Sequence, residues 1–185
     1  MTSDISDKEK IRVNPERENR KERRDGKPKR VPSREEALLK MADLCARSEQ
    51  CSSEIEKKLR AKGMTAADIS WVVAELHARR FVDETRYARA FARDKVRFAG
   101  WGRLKIRAAL AAKRIPSAVI AEALGEIEDK DYEEALRRAS AAKAATLNLE
   151  EYADRVKLAR HLYSRGFEPD ICNREVALQR GEKRE

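Results

Sequence analysis

Three copies of one short helical phrase, at residues 55–64, 106–115 and 158–167, constrain this chain more than any other feature. Each copy reads as an apolar residue, three spacers, a Leu, three spacers, then a Gly or its substitute and a large apolar residue. The members are Ile55, Leu59, Gly63 and Met64; Ile106, Leu110, Arg114 and Ile115; and Leu158, Leu162, Gly166 and Phe167. The offsets between copies are 51 and then 52 residues at all four positions, which scattered Leu and Gly would rarely achieve. Self-similarity at a fixed period of this size marks a tandem-repeat protein.

Composition agrees with that reading. Charged residues make up 41% of the 185 positions and aromatic residues 5%, poor material for one thick core, so an elongated row of helical units fits better. Local signals supply the helices. Ser33 to Glu36 is a capping box, and the apolar spacing of Ala37, Leu38, Met41, Leu44 and Cys45 behind it is helical. A second box at Ser53 to Glu56 predicts the next helix, with Gly63 as its left-handed stop, and Thr65 with Asp68 predicts a third. The second unit opens at the acidic pair Asp83 and Glu84, breaks at Gly100 to Gly102, and continues past Pro116, placed in a first helical turn. The third predicts starts at Asp131 and Asn148, a stop at Gly166 and a last helix near Pro169. Alternating strand patterns are absent. The expected fold is therefore all-α, an array of three tandem three-helix repeats over 34–82, 83–129 and 130–180, with a disordered charged tail over 1–33 and a short C-terminal tail over 181–185.

The formal net charge of +9 favours an acidic partner such as nucleic acid, an anionic surface or an acidic protein. No apolar run is long enough for a membrane span and the N-terminus lacks a signal-peptide core, so a cytoplasmic protein is expected. Cys45, Cys51 and Cys172, with only His77 and His161, offer neither paired metal-ligand spacing nor an even disulfide set, and both histidines read as structural or surface residues. There is no phosphate-cradling Gly-rich loop and no nucleophile motif, so neither an enzyme, a cofactor nor a small-molecule substrate is expected.

Charge is not spread evenly. Residues 86–114 hold Arg86, Arg89, Arg93, Lys95, Arg97, Arg103, Lys105, Arg107, Lys113 and Arg114 against the single acid Asp94, a stretch whose +9 equals that of the whole chain. Arg86, Arg89, Arg93 and Arg97 follow one helix face, and Arg103 and Arg107 follow another. Like charges at these spacings cost about 0.2–0.5 kcal/mol per pair in an isolated helix, which a binding role would offset. Trp101, between two glycines, either stacks on a partner or plugs a joint between helices; Phe98 is expected to plug the joint. The densest basic run of the tail, Arg20 to Arg30, reads as a solubilising segment or an auxiliary polyanion-binding arm.

The motifs also resemble those of the RecX family, regulators of the recombinase RecA. The likeness is carried by Ser52-Ser-Glu-Ile-Glu-Lys-Lys-Leu-Arg-Ala-Lys-Gly63, Phe81-Val-Asp-Glu-Thr-Arg-Tyr-Ala-Arg-Ala-Phe91, Gly100-Trp-Gly-Arg-Leu-Lys-Ile-Arg-Ala-Ala-Leu110 and Leu162-Tyr-Ser-Arg-Gly-Phe167. The resemblance implies an elongated, curved body that binds the RecA–DNA filament, inhibits its ATPase, strand-exchange and coprotease activities, contacts single- or double-stranded DNA without sequence preference, and serves recombinational repair and the SOS response. It places the basic stretch, with Trp101, toward the filament; a monomer is expected. The family pattern has Gly where this chain has Arg114. If that turn is left-handed, a non-Gly residue costs on the order of 1 kcal/mol, so either the turn differs or the side chain has a use. Two other readings stay open: an autonomous helix-turn-helix-like DNA-binding protein, and a scaffold for an acidic protein without nucleic acid.

Overall fold

The computed structural model describes residues 30–182, so the first 29 residues, with most of the expected tail, lie outside the described part. The described residues form nine α-helices and no strand. Repeat 1 comprises α1 (Arg34–Arg47), α2 (Ser52–Arg60) and α3 (Ala66–Ala78); repeat 2 comprises α4 (Glu84–Arg97), α5 (Arg103–Ala112) and α6 (Ser117–Gly125); repeat 3 comprises α7 (Asp129–Ala144), α8 (Tyr152–Arg165) and α9 (Pro169–Glu182).

The repeated phrase is the C-terminal half of the second helix of each repeat, together with its stop. Its two apolar residues point inward and are fully buried in all three copies. The residue after the stop then donates its amide back to the carbonyl of the phrase Leu: Met64 to Leu59, Ile115 to Leu110 and Phe167 to Leu162, at 3.4, 3.2 and 3.3 Å. That closure needs a left-handed residue between them, and Gly63, Arg114 and Gly166 have φ of 80°, 61° and 88°. Arg114 therefore adopts the family's glycine conformation, and the turn does not differ.

Several helix starts differ from the sequence expectation. The Ser33 box and the Thr65 cap form as read, and Asp83 of the acidic pair proves to be an N-cap, each oxygen accepting from the amide three residues on. The Ser53 box does not: α2 begins at Ser52 behind Cys51, whose side chain is buried, and the Ser52 amide instead donates to Glu84 Oε1 of the next repeat at 2.9 Å. Helix α7 starts at Asp129, two residues early, which leaves Asp131 free for an ion pair. Asn148 does not cap α8; its side chain closes a local turn on the Glu150 amide, and the helix begins at Tyr152. Pro116 stands just ahead of α6, at its N-cap.

The apolar core is divided unequally. Ala37, Leu38, Met41, Ile55, Leu59, Met64, Ile69, Val72, Leu76 and Val82 form a cluster private to repeat 1. A larger cluster runs without interruption from Tyr87, Val96, Ile106 and Leu110 of repeat 2 to Tyr132, Leu136, Leu162, Phe167 and Cys172 of repeat 3. A small third cluster, Ala144, Leu149, Leu158 and Val176, closes the far side of repeat 3. The thiols of Cys51 and Cys172 are thus core side chains, and burial pushes that of Cys172 up to about 11.

Candidate polyanion-binding site

The basic stretch occupies α4, α5 and the turn between them. Gly100, at φ 59°, reverses the chain, and the Trp101 amide donates to Lys95 O at 3.0 Å, folding the indole back over α4. Tyr87 and Phe91, one helical turn apart, stack at 5.8 Å between ring centroids, and Phe91 meets Trp101 edge-on at 6.4 Å. Three ammonium groups lie over this row of rings. Lys113 is 5.9 Å from the Tyr87 centroid and 5.8 Å from that of Phe91; Lys95 is 5.2 Å from Phe91 and 5.0 Å from Trp101; Lys105 is 4.7 Å from Trp101. Each such contact contributes about 0.5–1 kcal/mol at an exposed site. The rings thus hold like charges together that would otherwise separate. Trp101 packs on the core as a half-buried ring, which is the joint-plugging alternative, and two lysines lie over it.

Six of the ten basic residues are engaged elsewhere. Arg86 pairs with Glu49 at 2.5 Å, Lys113 with Glu54 and Arg114 with Glu56, all reaching into repeat 1. Arg97 pairs with Asp131 at 2.6 Å, and Arg103 lies 3.5 Å from Asp129 and 3.9 Å over the Tyr132 ring, both in repeat 3. Arg89 is held within repeat 2 by Glu122 at 2.5 Å and Glu126 at 2.9 Å. The arginine stripe of α4 is accordingly a bridging face, and the acids that offset it come from α6 and the flanking repeats. Local electrostatics follow. The hydrogen bond from Lys113 holds the Glu54 carboxyl below its usual range, while burial opposes the Lys113 charge but is outweighed by Glu54 and Tyr87. Burial pushes the Tyr87 hydroxyl up to about 12.

Arg93, Lys95, Lys105 and Arg107 have no carboxylate partner among the described residues, and of these Lys95 and Lys105 lie over Trp101, while Arg93 lines a separate cleft with Arg89 and Arg97. The amide end of α5, an obvious anion site by itself, is closed: Gly102 and Leu104 donate to Arg165 O and Gly166 O at 2.8 and 2.9 Å, and the Arg103 amide donates to Tyr132 Oη at 3.1 Å. The Tyr132 hydroxyl in turn donates a hydrogen bond to Glu168 Oε2 at 2.5 Å. Phe98 corrects the sequence reading: it is 84% exposed and plugs nothing, because the turn carries it away from the core while Trp101 takes the inner position. Sequence reasoning missed Tyr87 and Phe91, although their spacing with Lys95 along one helix face was a usable signal. No cluster of His, Cys, Asp and Glu that could hold a metal occurs among the described residues, and none of them forms a helix long and apolar enough to cross a membrane.

Comparison with known proteins bears on this architecture. Residues 83–124 match the family model described as RecX, second three-helix domain, and residues 129–176 match RecX, third three-helix domain. The chain is 32% identical over 131 residues to the regulatory protein RecX of Chlorobaculum tepidum, spanning 71% of this chain and 80% of that one. It is 30% identical over 136 residues to that of Vibrio parahaemolyticus, spanning 74% and 86%. The crystal structure of RecX from Lactobacillus salivarius superposes with a TM-score of 0.67 at 20% identity, over 79% of this chain and 96% of that one, a likeness of fold.

Proposed function

This chain belongs to the RecX family, and we propose that it regulates the recombinase RecA by binding the RecA–DNA filament and inhibiting its ATPase, strand-exchange and coprotease activities. The observation that carries the site is the row of Tyr87, Phe91 and Trp101, with Lys95 and Lys105 over its Trp101 end and Lys113 over its Tyr87 end held by Glu54; Arg93 and Arg107, without a carboxylate partner among the described residues, stand on other faces of the same two helices. Phosphates lie against the ammonium groups without selecting sequence, and the exposed part of the half-buried indole offers an apolar contact to an unpaired base. The six ion-paired residues, Arg86, Arg89, Arg97, Arg103, Lys113 and Arg114, shape this face and do not form its contact set.

An autonomous helix-turn-helix reader is a poorer account of the same residues. The amide end of α5 is already occupied by repeat 3, and α6 carries Glu122 and no basic side chain, with Glu126 just beyond its end. The test is titration into a recombinase ATPase assay on single-stranded DNA, alongside a salt series on DNA alone. Charge reversal of Arg93, Lys95, Lys105 and Arg107 together removes inhibition, keeps the helical circular-dichroism spectrum, and flattens the log–log salt slope of DNA binding by about 3 to 4. Full inhibition by that folded variant overturns the assignment.

A further inference from the structure

The α4–α5 turn presents a second aromatic side chain in surroundings quite unlike those of Trp101. Phe98 stands at the C-cap of α4, 84% exposed, and its ring forms one wall of a cleft of about 330 Å³. The other walls come from repeat 3: Ala135, Ala139 and Ala142 on one face of α7, and His161 and Arg165 of α8. A single exposed apolar side chain is ordinary on a protein surface, so exposure alone says little. What sets this one apart is how its backbone is held. Arg138 donates to Arg97 O at 2.8 Å and Arg165 donates to Ala99 O at 2.9 Å, so the carbonyls on either side of Phe98 are clamped by two guanidinium groups of the next repeat. The ring is therefore an exposed aromatic on a fixed mount, a form in which little freedom remains to be lost on binding.

The charge of the cleft is one-sided. Arg138, Lys143, His161 and Arg165 line it, and no Asp or Glu does. Arg138 reaches Glu134 at 3.8 Å outside the cleft, while Lys143 has no carboxylate partner among the described residues. Burial, then the nearby Arg165 and Lys143, hold the His161 imidazole below its usual range, as expected where positive charge converges.

We infer that this cleft is a docking surface for a partner protein segment in which acidic residues flank one apolar side chain. The apolar side chain seats on Ala139 and Ala142 against Phe98, and its flanking carboxylates meet Lys143, Arg138 and Arg165. Charge complementarity selects an acidic occupant, and the shape selects polypeptide over nucleic acid. The lining contains one aromatic ring, whereas strands of nucleic acid are held by successive rings, and a small dry floor beside an aromatic and anchored arginines is the composition of a protein-interface hot spot. None of the lining residues belongs to the lysine–aromatic row, so the inference stands apart from the filament-binding face.

The test is an NMR titration of the isotope-labelled full chain with a short synthetic peptide of Asp and Glu around one central Leu. The expected result is movement of the Ala99, Gly100, Ala139 and Ala142 amides while the Trp101 indole signal stays in place. Changing the peptide Leu to Ser, or the protein Phe98→Ala or Lys143→Glu, weakens binding by roughly tenfold each. Because Phe98 is exposed, its truncation leaves the remaining amide spectrum intact, and loss of binding is then a surface effect. Three results overturn the inference: equal affinity for the Leu and Ser peptides, undiminished affinity of Phe98→Ala, or movement of the cleft amides by oligothymidylate in place of the peptide.

Discussion

The two seams that flank repeat 2 are built from different materials. Repeat 1 is joined to it chiefly by polar contacts, through Arg86 with Glu49, Lys113 with Glu54, Arg114 with Glu56 and the Ser52 amide with Glu84; its own apolar cluster ends at Val82, and of its buried residues Cys51 joins the cluster of repeat 2. Repeat 3 is joined by ion pairs too, Arg97 with Asp131 and Arg103 with Asp129, but also by a shared apolar core and by main chain: the carbonyl end of α8 is set against the amide end of α5. Opposed helix ends satisfy each other's unpaired groups and align their dipoles favourably. The first seam thus rests chiefly on charge, and so on pH and salt, while the second keeps an apolar and main-chain joint when its ion pairs are weakened, although both border the same basic repeat.

The largest effect is expected where the second seam has no room. A Cβ added at Gly102 would lie 2.1 Å from Gly166 O, and one at Gly166 would lie 2.3 Å from Lys105 Cβ. Backbone and Cβ atoms cannot rotate away, so Gly102→Ala should cost about 3 kcal/mol as the helix ends are forced apart. Gly166→Ala should cost at least as much, since its φ of 88° adds left-handed strain. Gly125→Ala, whose Cβ meets nothing within 4 Å, is the control. Chemical denaturation reads all three, and wild-type stability of Gly102→Ala would mean that the helix ends are not what holds repeats 2 and 3 together.

This contrast shows what the sequence carries. The phrase residues, the left-handed stops at Gly63 and Gly166, the Ser33 and Thr65 caps and the helix start at Asp83 were legible because each depends on partners within five positions. The basic surplus at 86–114 was legible too, but its neutralisation was not: Lys113 and Glu54 are 59 residues apart, and Arg114 and Glu56 are 58. Nothing in a local window distinguishes a basic residue facing a partner repeat from one facing solvent. Gly102 reads in sequence only as a break, and its closeness to Gly166 exists only after both repeats are folded. Phe98 and Trp101, three residues apart across a glycine, differ in burial because the turn sends one outward, which composition alone cannot assign.

A middle-sized effect should separate the seams by pH. The folded Glu54 carboxyl titrates below its usual range, so its contribution is present above the ordinary glutamate pKa and is lost as pH falls through the lower folded value. Acidification should loosen repeat 1 from repeat 2 first, seen as faster amide exchange around α2 and the C-terminal end of α5 while the N-terminal end of α5 and the end of α8 stay protected. Glu54→Gln should cost no more than about 1 kcal/mol, because the carboxylate is partly open to solvent, and the difference should shrink in high salt. Equal loosening of both seams at low pH would erase the distinction drawn between them.

The smallest effect probes the place where the first seam is maintained at the expense of backbone comfort. Arg114 holds φ 61°, a conformation its counterparts Gly63 and Gly166 adopt freely, and its guanidinium reaches Glu56 across the seam. Arg114→Gly relieves the backbone but severs the link, and Arg114→Ala severs the link while keeping the strain. The melting temperatures should therefore rank Gly highest, Arg next and Ala lowest. The exchange of repeat 1 amides should rank differently, with both variants faster than wild type. If Arg114→Gly gains stability and leaves that exchange unchanged, the arginine does not couple the repeats. If exchange quickens as stability rises, the middle copy carries arginine because the joint with repeat 1, and not the turn itself, is what the residue serves.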